Sequence, residues 1–262
     1  MQSPAPPLLE ATGLVKQYGH VEALRGADFT VYSGEVVALV GDNGAGKSTL
    51  IKIIAGSIRP DSGELRIDGQ PVVMNSPFEA RDLGIETVYQ DLSLAGALDT
   101  AANLFLGREI VRSGFLGRLG VMDKKAMEKT TREVYNRFGV DMRNAASPVA
   151  NLSGGQKQSV AVARAIAWPS RMVILDEPTA ALGVAQTASV LSLIRRVRDD
   201  GRSVVLITHN MPQALEVSDR VEVLRMGQRV ARFTSGEARV SDLVDAMTGA
   251  TADRDASDRG DR

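Results

Sequence analysis

The sequence predicts an α/β fold built on a mainly parallel sheet, with an antiparallel β subdomain and an inserted helical subdomain. Three observations carry this expectation. Short apolar runs such as VVALV (36–40), MVILDE (172–177) and SVVLIT (203–208) alternate with amphipathic stretches of helical period, the pattern of strands covered on both faces by crossover helices. A glycine-rich stretch, GDNGAGKST, joins the first of these runs directly to a helical pattern. Between Asp91 and about Ala150 the strand signals stop and helical patterns take over, which marks an insertion in an otherwise alternating chain.

Taken in order, residues 1–7 read as a loose proline-rich arm, LLEATGLVKQY (8–18) and VEALRGADFTVY (21–32) as strands, and VVALV as a short buried strand running into the helix KSTLIKIIAG (47–56). RPDSG (59–63) is a turn, and ELRIDGQPVV (64–73) returns as strand. SPFEARDLG (76–84) reads as a short helix, because Ser76 suits the N-cap and Pro77 falls at the first helical position, where its missing N–H costs nothing. IETVY (85–89) is a strand ending at Gln90. Within the insertion, TAANLFLG (100–107) and DKKAMEKTTREVYNRFG (123–139) are the clearest helices, and the helical subdomain is expected over about 91–165. Alternation resumes with MVILDE as strand, 184–201 as helix, SVVLIT as strand and 211–218 as helix. The pair VEVLRM (221–226) and RVARFT (229–234) reads as a hairpin closing the sheet, and 240–249 as a last helix. One domain over 8–250 is expected, then a solvated tail of mixed charge, 251–262, with nothing to bury.

Composition narrows the function classes. With 262 residues, 44% hydrophobic and 24% charged, the chain can bury a core. A formal net charge of -1 with dispersed basic residues provides no electrostatic footprint for a nucleic-acid backbone, so no nucleic-acid partner is expected. The absence of cysteine removes disulfides and thiolate metal sites and is compatible with a reducing compartment. The first residues lack the basic and apolar regions of a secretory signal. No run approaches the roughly 18 apolar residues that span a bilayer, so membrane contact is expected to go through a partner.

Three motifs carry chemistry. Gly41–Ser48, GDNGAGKS, fits G-x-x-x-x-G-K-[ST] between a buried strand and a helix. Gly41, Gly44 and Gly46, with Asp42, Asn43, Ala45 and Thr49, would turn backbone N–H groups inward on phosphate oxygens at the positive end of a helix dipole. Lys47 would reach the β- and γ-phosphates and the Ser48 hydroxyl would ligate Mg²⁺, making this a P-loop NTPase core. MVILDE delivers Asp176 to the carboxyl edge of the sheet, where it would hold Mg²⁺, and Glu177 adds a carboxylate able to orient an attacking water. In NLSGGQ, Ser153 and the backbone of Gly154 and Gly155 cap a helix, which makes a second anion site in the same chain.

Gly41–Ser48, Gln90, LSGGQ at Leu152–Gln156, MVILDE and His209, in that order and spacing, resemble the nucleotide-binding subunit of ATP-binding cassette (ABC) transporters, over about Leu8–Gly249. The resemblance implies ATP and Mg²⁺ as ligands. It also implies a head-to-tail dimer in which Ser153, Gly154, Gly155 and Gln156 of one copy cover the γ-phosphate held by the P-loop of the other, which accounts for the second cradle. Gln90 then stands at the family's Q-loop, touching Mg²⁺ or the attacking water. His209, one of two histidines, takes the position of the switch histidine on the γ-phosphate, and Tyr18 that of the aromatic ring stacked on adenine. The sequence departs at Gly183, where the family usually has an aspartate that contacts the opposite subunit; this puts the coupling of the two sites in question and leaves the catalytic positions intact.

GDNGAGKST, ARDLGIETVYQDLSL and DEPTAALGVAQ further resemble the ATP-binding subunits of bacterial carbohydrate importers of the ribose and xylose type. That implies an ATPase energising monosaccharide uptake through membrane permease subunits served by an extracytoplasmic solute-binding protein, working as a homodimer at the cytoplasmic face of the inner membrane. Import of another solute is one alternative. A soluble ABC ATPase of DNA repair or translation is a second, opposed by the absence of long heptad coiled coils and of a second cassette. A regulator without turnover is a third, opposed by Glu177 and His209. The segment GREIVRSGFLGRLG (107–120) reads either as a contact for membrane partners or as a solvated loop.

Overall fold

Two sheets share one core. In chain order the strands are β1 (Leu9–Tyr18), β2 (Val21–Val31), β3 (Val36–Val40), β4 (Ser62–Ile67), β5 (Gln70–Val72), β6 (Ile85–Val88), β7 (Met172–Asp176), β8 (Ser203–Ile207), β9 (Arg220–Arg225) and β10 (Gln228–Thr234). The helices are α1 (Lys47–Ile54), α2 (Pro77–Asp82), α3 (Thr100–Leu104), α4 (Phe115–Arg118), α5 (Lys124–Phe138), α6 (Gly154–Ile166), α7 (Val184–Asp199), α8 (Met211–Val217) and α9 (Val240–Thr248). The computed structural model describes residues 6–140 and 146–250; the expected tail and residues 1–5 of the expected arm lie outside the described residues.

The larger sheet has the order β10-β9-β3-β8-β7-β6, parallel except for the β9–β10 hairpin. The smaller, β2-β1-β4-β5, is antiparallel throughout. Because side chains alternate across a strand, each run of the parallel sheet feeds two cores. Leu39, Ile174, Val205 and Ile207 face α1 and the antiparallel sheet. Their neighbours Val173, Leu175, Val204 and Leu206 face α6 and α7. A third cluster packs α8 and α9 against Val221 and Val223 of β9.

The interruption between β6 and β7 contains α3 to α6 and a core of its own, with Leu104, Phe105, Met127, Tyr135 and Val160 buried together. Fully buried Asn103 fastens its entry. Its carboxamide accepts from the Ala95 N–H and donates to the carbonyls of Ala95, Leu98 and Asp99, so the polar group is satisfied where leaving it bare would cost about 1–3 kcal/mol.

Two elements differ from the expectation. ELRIDGQPVV is a hairpin of β4 and β5 rather than one strand. Asp68 and Gly69 both take positive φ (51° and 76°), the backbone that a two-residue Asp-Gly turn requires. The loop segment 107–120 contains the short helix α4, whose apolar residues bury nothing. The Ser76 cap is as expected: its hydroxyl accepts from the Glu79 N–H at 3.3 Å, with Pro77 opening α2.

Candidate functional site

The parallel register sets the site. Leu39 of β3 and Asp176 of β7 both align with Ile207 of β8, so the chain leaves all three strands at one edge, carrying Gly41–Thr49, Glu177 and His209 out together. A crevice at the carboxyl ends of parallel strands is where such folds bind ligands.

The loop after β3 is held from both sides. Gly227 donates its N–H to the Ala45 carbonyl at 2.9 Å, and the Arg25 N–H donates to Gly227 at 2.8 Å, linking loop, β9–β10 turn and β2. Gly46 caps α1 at φ 103°, and a β-carbon there would lie 2.5 Å from the Ala23 carbonyl oxygen. A β-carbon on Gly41 would lie 2.3 Å from the Leu224 carbonyl oxygen. Both glycines are therefore demanded by close backbone approach, which draws the loop tight over the start of α1, where the first N–H groups lack helical partners. Asp42, Asn43, Gly44 and Ser48 are exposed. Lys47 curls back, donating to the carbonyls of Gly41 (2.6 Å) and Asp42 (3.0 Å). Burial lowers its pKa, opposed by the nearby charges of Glu177, Asp42 and Asp176.

Asp176 ends β7 with its carboxyl half-buried; desolvation, then the neighbouring Glu177, raise its pKa, with Lys47 and Lys52 opposing. Glu177 leaves the strand at φ +50°, its N–H donating to the Ile207 carbonyl at 2.9 Å. That left-handed conformation, uncommon for a non-glycine residue, directs the carboxylate away from the strand. Its Oε2 lies 2.8 Å from Nδ1 of His209, whose side chain is 66% exposed.

Gln90 is exposed just beyond β6, and Tyr18 is exposed at the end of β1 with the Lys16 ammonium 5.8 Å from its ring. Ser153 heads α6 in a reciprocal cap. Its hydroxyl accepts from the Gln156 N–H at 3.3 Å, and its own N–H donates to Gln156 Oε1 at 3.0 Å. Behind them Gly154 faces Leu182 and Gly155 faces Gln186; a β-carbon on Gly155 would lie 2.8 Å from that of Gln186. A cavity of about 480 Å³ opens beside this cap, lined by Tyr135, Phe138, Leu152, Gln186 and Arg196 among others and by no P-loop residue. The structure thus gathers Lys47, Asp176, Glu177 and His209 at one edge, while at the cap of α6 Gly155 packs against Gln186 of α7.

Sequence reasoning missed the supports. Arg164, twelve residues into the chain from Leu152, sends its guanidinium to the carbonyls of Leu92 (3.1 Å) and Ser93 (2.9 Å), holding the stretch after Gln90. Thr179 donates to Gln213 at 2.6 Å, tying the segment after Glu177 to α8. Nothing in a helical arginine or a loop threonine announces such partners.

Known proteins place the chain in a family. The family model described as ABC transporter matches residues 24–180. The fructose import ATP-binding protein FrcA of Rhizobium meliloti is 51% identical over 246 residues, covering 93% of this chain and 95% of its own. The xylose/arabinose import ATP-binding protein XylG of Sulfolobus acidocaldarius is 44% identical, covering 92% and 94%. Among solved structures, a dimeric bacterial ABC transporter cassette superposes with a TM-score of 0.72 at 26% identity, over 87% of this chain and 98% of that one. By sequence and by fold, the chain belongs to the ABC transporter family as one of its ATP-binding cassettes.

Proposed function

We propose that the chain is the ATPase subunit of an importer that takes up a monosaccharide through membrane permease subunits, with an extracytoplasmic solute-binding protein delivering the sugar. Near full-length 51% identity to a fructose import ATP-binding protein carries the sugar assignment. Among the described residues no helix is long and apolar enough to cross a membrane, which fits a subunit seated peripherally on its permease at the cytoplasmic face.

The donor set suits Mg²⁺. Among the described residues no group of three or more His, Asp or Glu forms a cage, and Mg²⁺ bound with nucleotide needs only one or two protein oxygens beside phosphate and water. The Ser48 hydroxyl and the Asp176 carboxylate would hold it, with Gln90 at its edge. Asp176 beside Glu177 is a pair of crowded acids, and a divalent cation relieves the repulsion between them. When bound, the ion neutralises charge on the phosphate oxygens.

The chain's own residues do the rest. Lys47 exchanges the carbonyls of Gly41 and Asp42 for the β- and γ-phosphate oxygens, and the N–H groups of Gly44–Thr49 surround them. Tyr18 stacks on the adenine. Glu177 orients the attacking water for in-line displacement and takes its proton, while His209, in contact with that carboxylate, keeps its exposed ring edge for the γ-phosphate. Ser153, Gly154, Gly155 and Gln156 serve the nucleotide of a second copy docked head to tail; the cavity beside them, which no P-loop residue lines, supports this.

The test is purification of tagged Glu177→Gln protein from gently solubilised native membranes with ATP present. A multi-span permease should accompany it, and that permease's solute-binding protein should bind a monosaccharide. Recovery of ribosomes, nucleic acid or soluble factors alone would overturn the importer role and leave the ATPase chemistry standing.

A further inference from the structure

From Val111 to Met122 every residue except Gly117 is exposed. This is an ordered projection rather than a loose loop. Its base is closed by antiparallel pairing of Val111 with Met122, in which Arg112 N–H donates to the Val121 carbonyl at 2.9 Å and Asp123 N–H to that of Ile110 at 2.6 Å. Inside the base, α4 makes a tight turn. Gly117 packs so closely that a β-carbon would lie 1.8 Å from the Arg112 carbonyl oxygen.

The chemistry of the tip is unusual for solvated surface. Phe115 (75% exposed) and Leu116 on α4 and Leu119 (64%) just past it project outward, with Val111 and Met122 exposed beneath them. Monomeric proteins seldom gather large apolar side chains on a prominence that buries none of them. The charges of the tip itself are of one sign. Arg112 and Arg118 are the charged residues of 111–122, while the groups at its base are engaged: Glu109 accepts from the Gly107 N–H at 3.0 Å, Asp123 from the Ala126 N–H at 3.1 Å, and Arg108 is paired with Glu86 at 3.1 Å. Bulky apolar groups flanked by arginines, on a pre-formed tip without acids, match the boundary of an anionic bilayer, where the rings and methyls enter the acyl region and the guanidinium groups meet headgroup phosphates.

We propose that the 111–122 tip seats directly on anionic lipid beside the permease. The proposal rests on the importer reading above for its proximity to a bilayer, and its test needs no permease. Phe115→Trp in the full chain places a reporter at the tip; the native Trp168, set edge-to-face with Phe105 and under the Arg108 guanidinium, adds a constant background. With vesicles of phosphatidylglycerol the reporter emission should shift to the blue and be quenched by brominated acyl chains. Phosphatidylcholine vesicles should bind at least about tenfold more weakly, since the two basic contacts of Arg112 and Arg118 are lost. Adding Leu116→Ser and Leu119→Ser should reduce partitioning by about tenfold or more, with ATP hydrolysis by the isolated chain unchanged. No shift with either vesicle would overturn the proposal. Equal binding to both would overturn the anionic preference. A shift produced only by purified permease in detergent would overturn it and assign the tip to a protein surface. None of these outcomes bears on whether a permease co-purifies, so failure here is distinct from failure of the importer reading.

Discussion

At the scale of single residues, the site is organised by charge in short supply of water. Lys47 is partly desolvated and rests on two carbonyls. Lys47→Ala should lower ATP hydrolysis by about 100-fold or more, as loss of a charge aimed at the transferring phosphate does; near-normal turnover of the purified variant would remove the P-loop assignment. Asp176 gives a pH prediction of a less familiar sign. Its folded pKa is raised, so folding takes up a proton: the ionised group weakens the nucleotide-free fold above the raised value, and that cost fades as pH falls through it. Asp176→Asn should therefore melt higher than the parent at pH 7, by about 1–4 °C. The gap should close as pH drops below the ordinary carboxylate value near ~3.9, and stabilisation by Mg-ATP should shrink in the variant. Melting curves across that range with and without nucleotide check both halves; a variant that melts lower throughout would contradict the burial argument.

At the scale of elements, function depends on how helices begin. Gly46→Ala must place a β-carbon against the Ala23 carbonyl at a backbone angle suited to glycine. It should cost about 1–3 kcal/mol in stability and weaken nucleotide binding, measurable by denaturant melts and equilibrium titration. Ser153→Ala breaks the reciprocal cap of α6 at a cost of about 1 kcal/mol. It should depress hydrolysis while ATP still binds to the chain's own P-loop; equal loss of both would mean that the cap acts only through the fold.

The same element scale explains what was legible beforehand. Strands such as VVALV and SVVLI have apolar neighbours on both faces, and that requirement is written in adjacent residues. The P-loop, Asp176, Glu177 and His209 were legible because each lies next to a strand end. The β4–β5 turn was signalled by Asp68-Gly69 and overridden by the apolar flanks. The partners of Arg164 and Gln186, and the contact of His209 with Glu177, depend on segments far apart in sequence meeting through sheet register, which no local pattern encodes. Helix α4 escaped because periodicity reports burial, and α4 buries nothing.

At the scale of the whole molecule, the proposed head-to-tail arrangement makes the chain half of a working unit. Glu177→Gln should retain ATP without cleaving it and run as a dimer on size exclusion with Mg-ATP, whereas the parent should run as a monomer once nucleotide is consumed; a monomeric variant under saturating Mg-ATP would count against the head-to-tail arrangement. The exposed 111–122 tip also changes the expectation that membrane contact passes only through a partner, if the vesicle experiment succeeds. Helix α6 has one further consequence. Ser153 stands at one end of a stiff rod and Arg164, about 16 Å along it at 1.5 Å per residue, grips the carbonyls after Gln90. On the head-to-tail reading proposed above, a pull by the neighbour's nucleotide on the near end would be carried by the far end to the stretch after Gln90. One helix would then work as a mechanical crossbar, letting each half of the pair register whether the other is loaded.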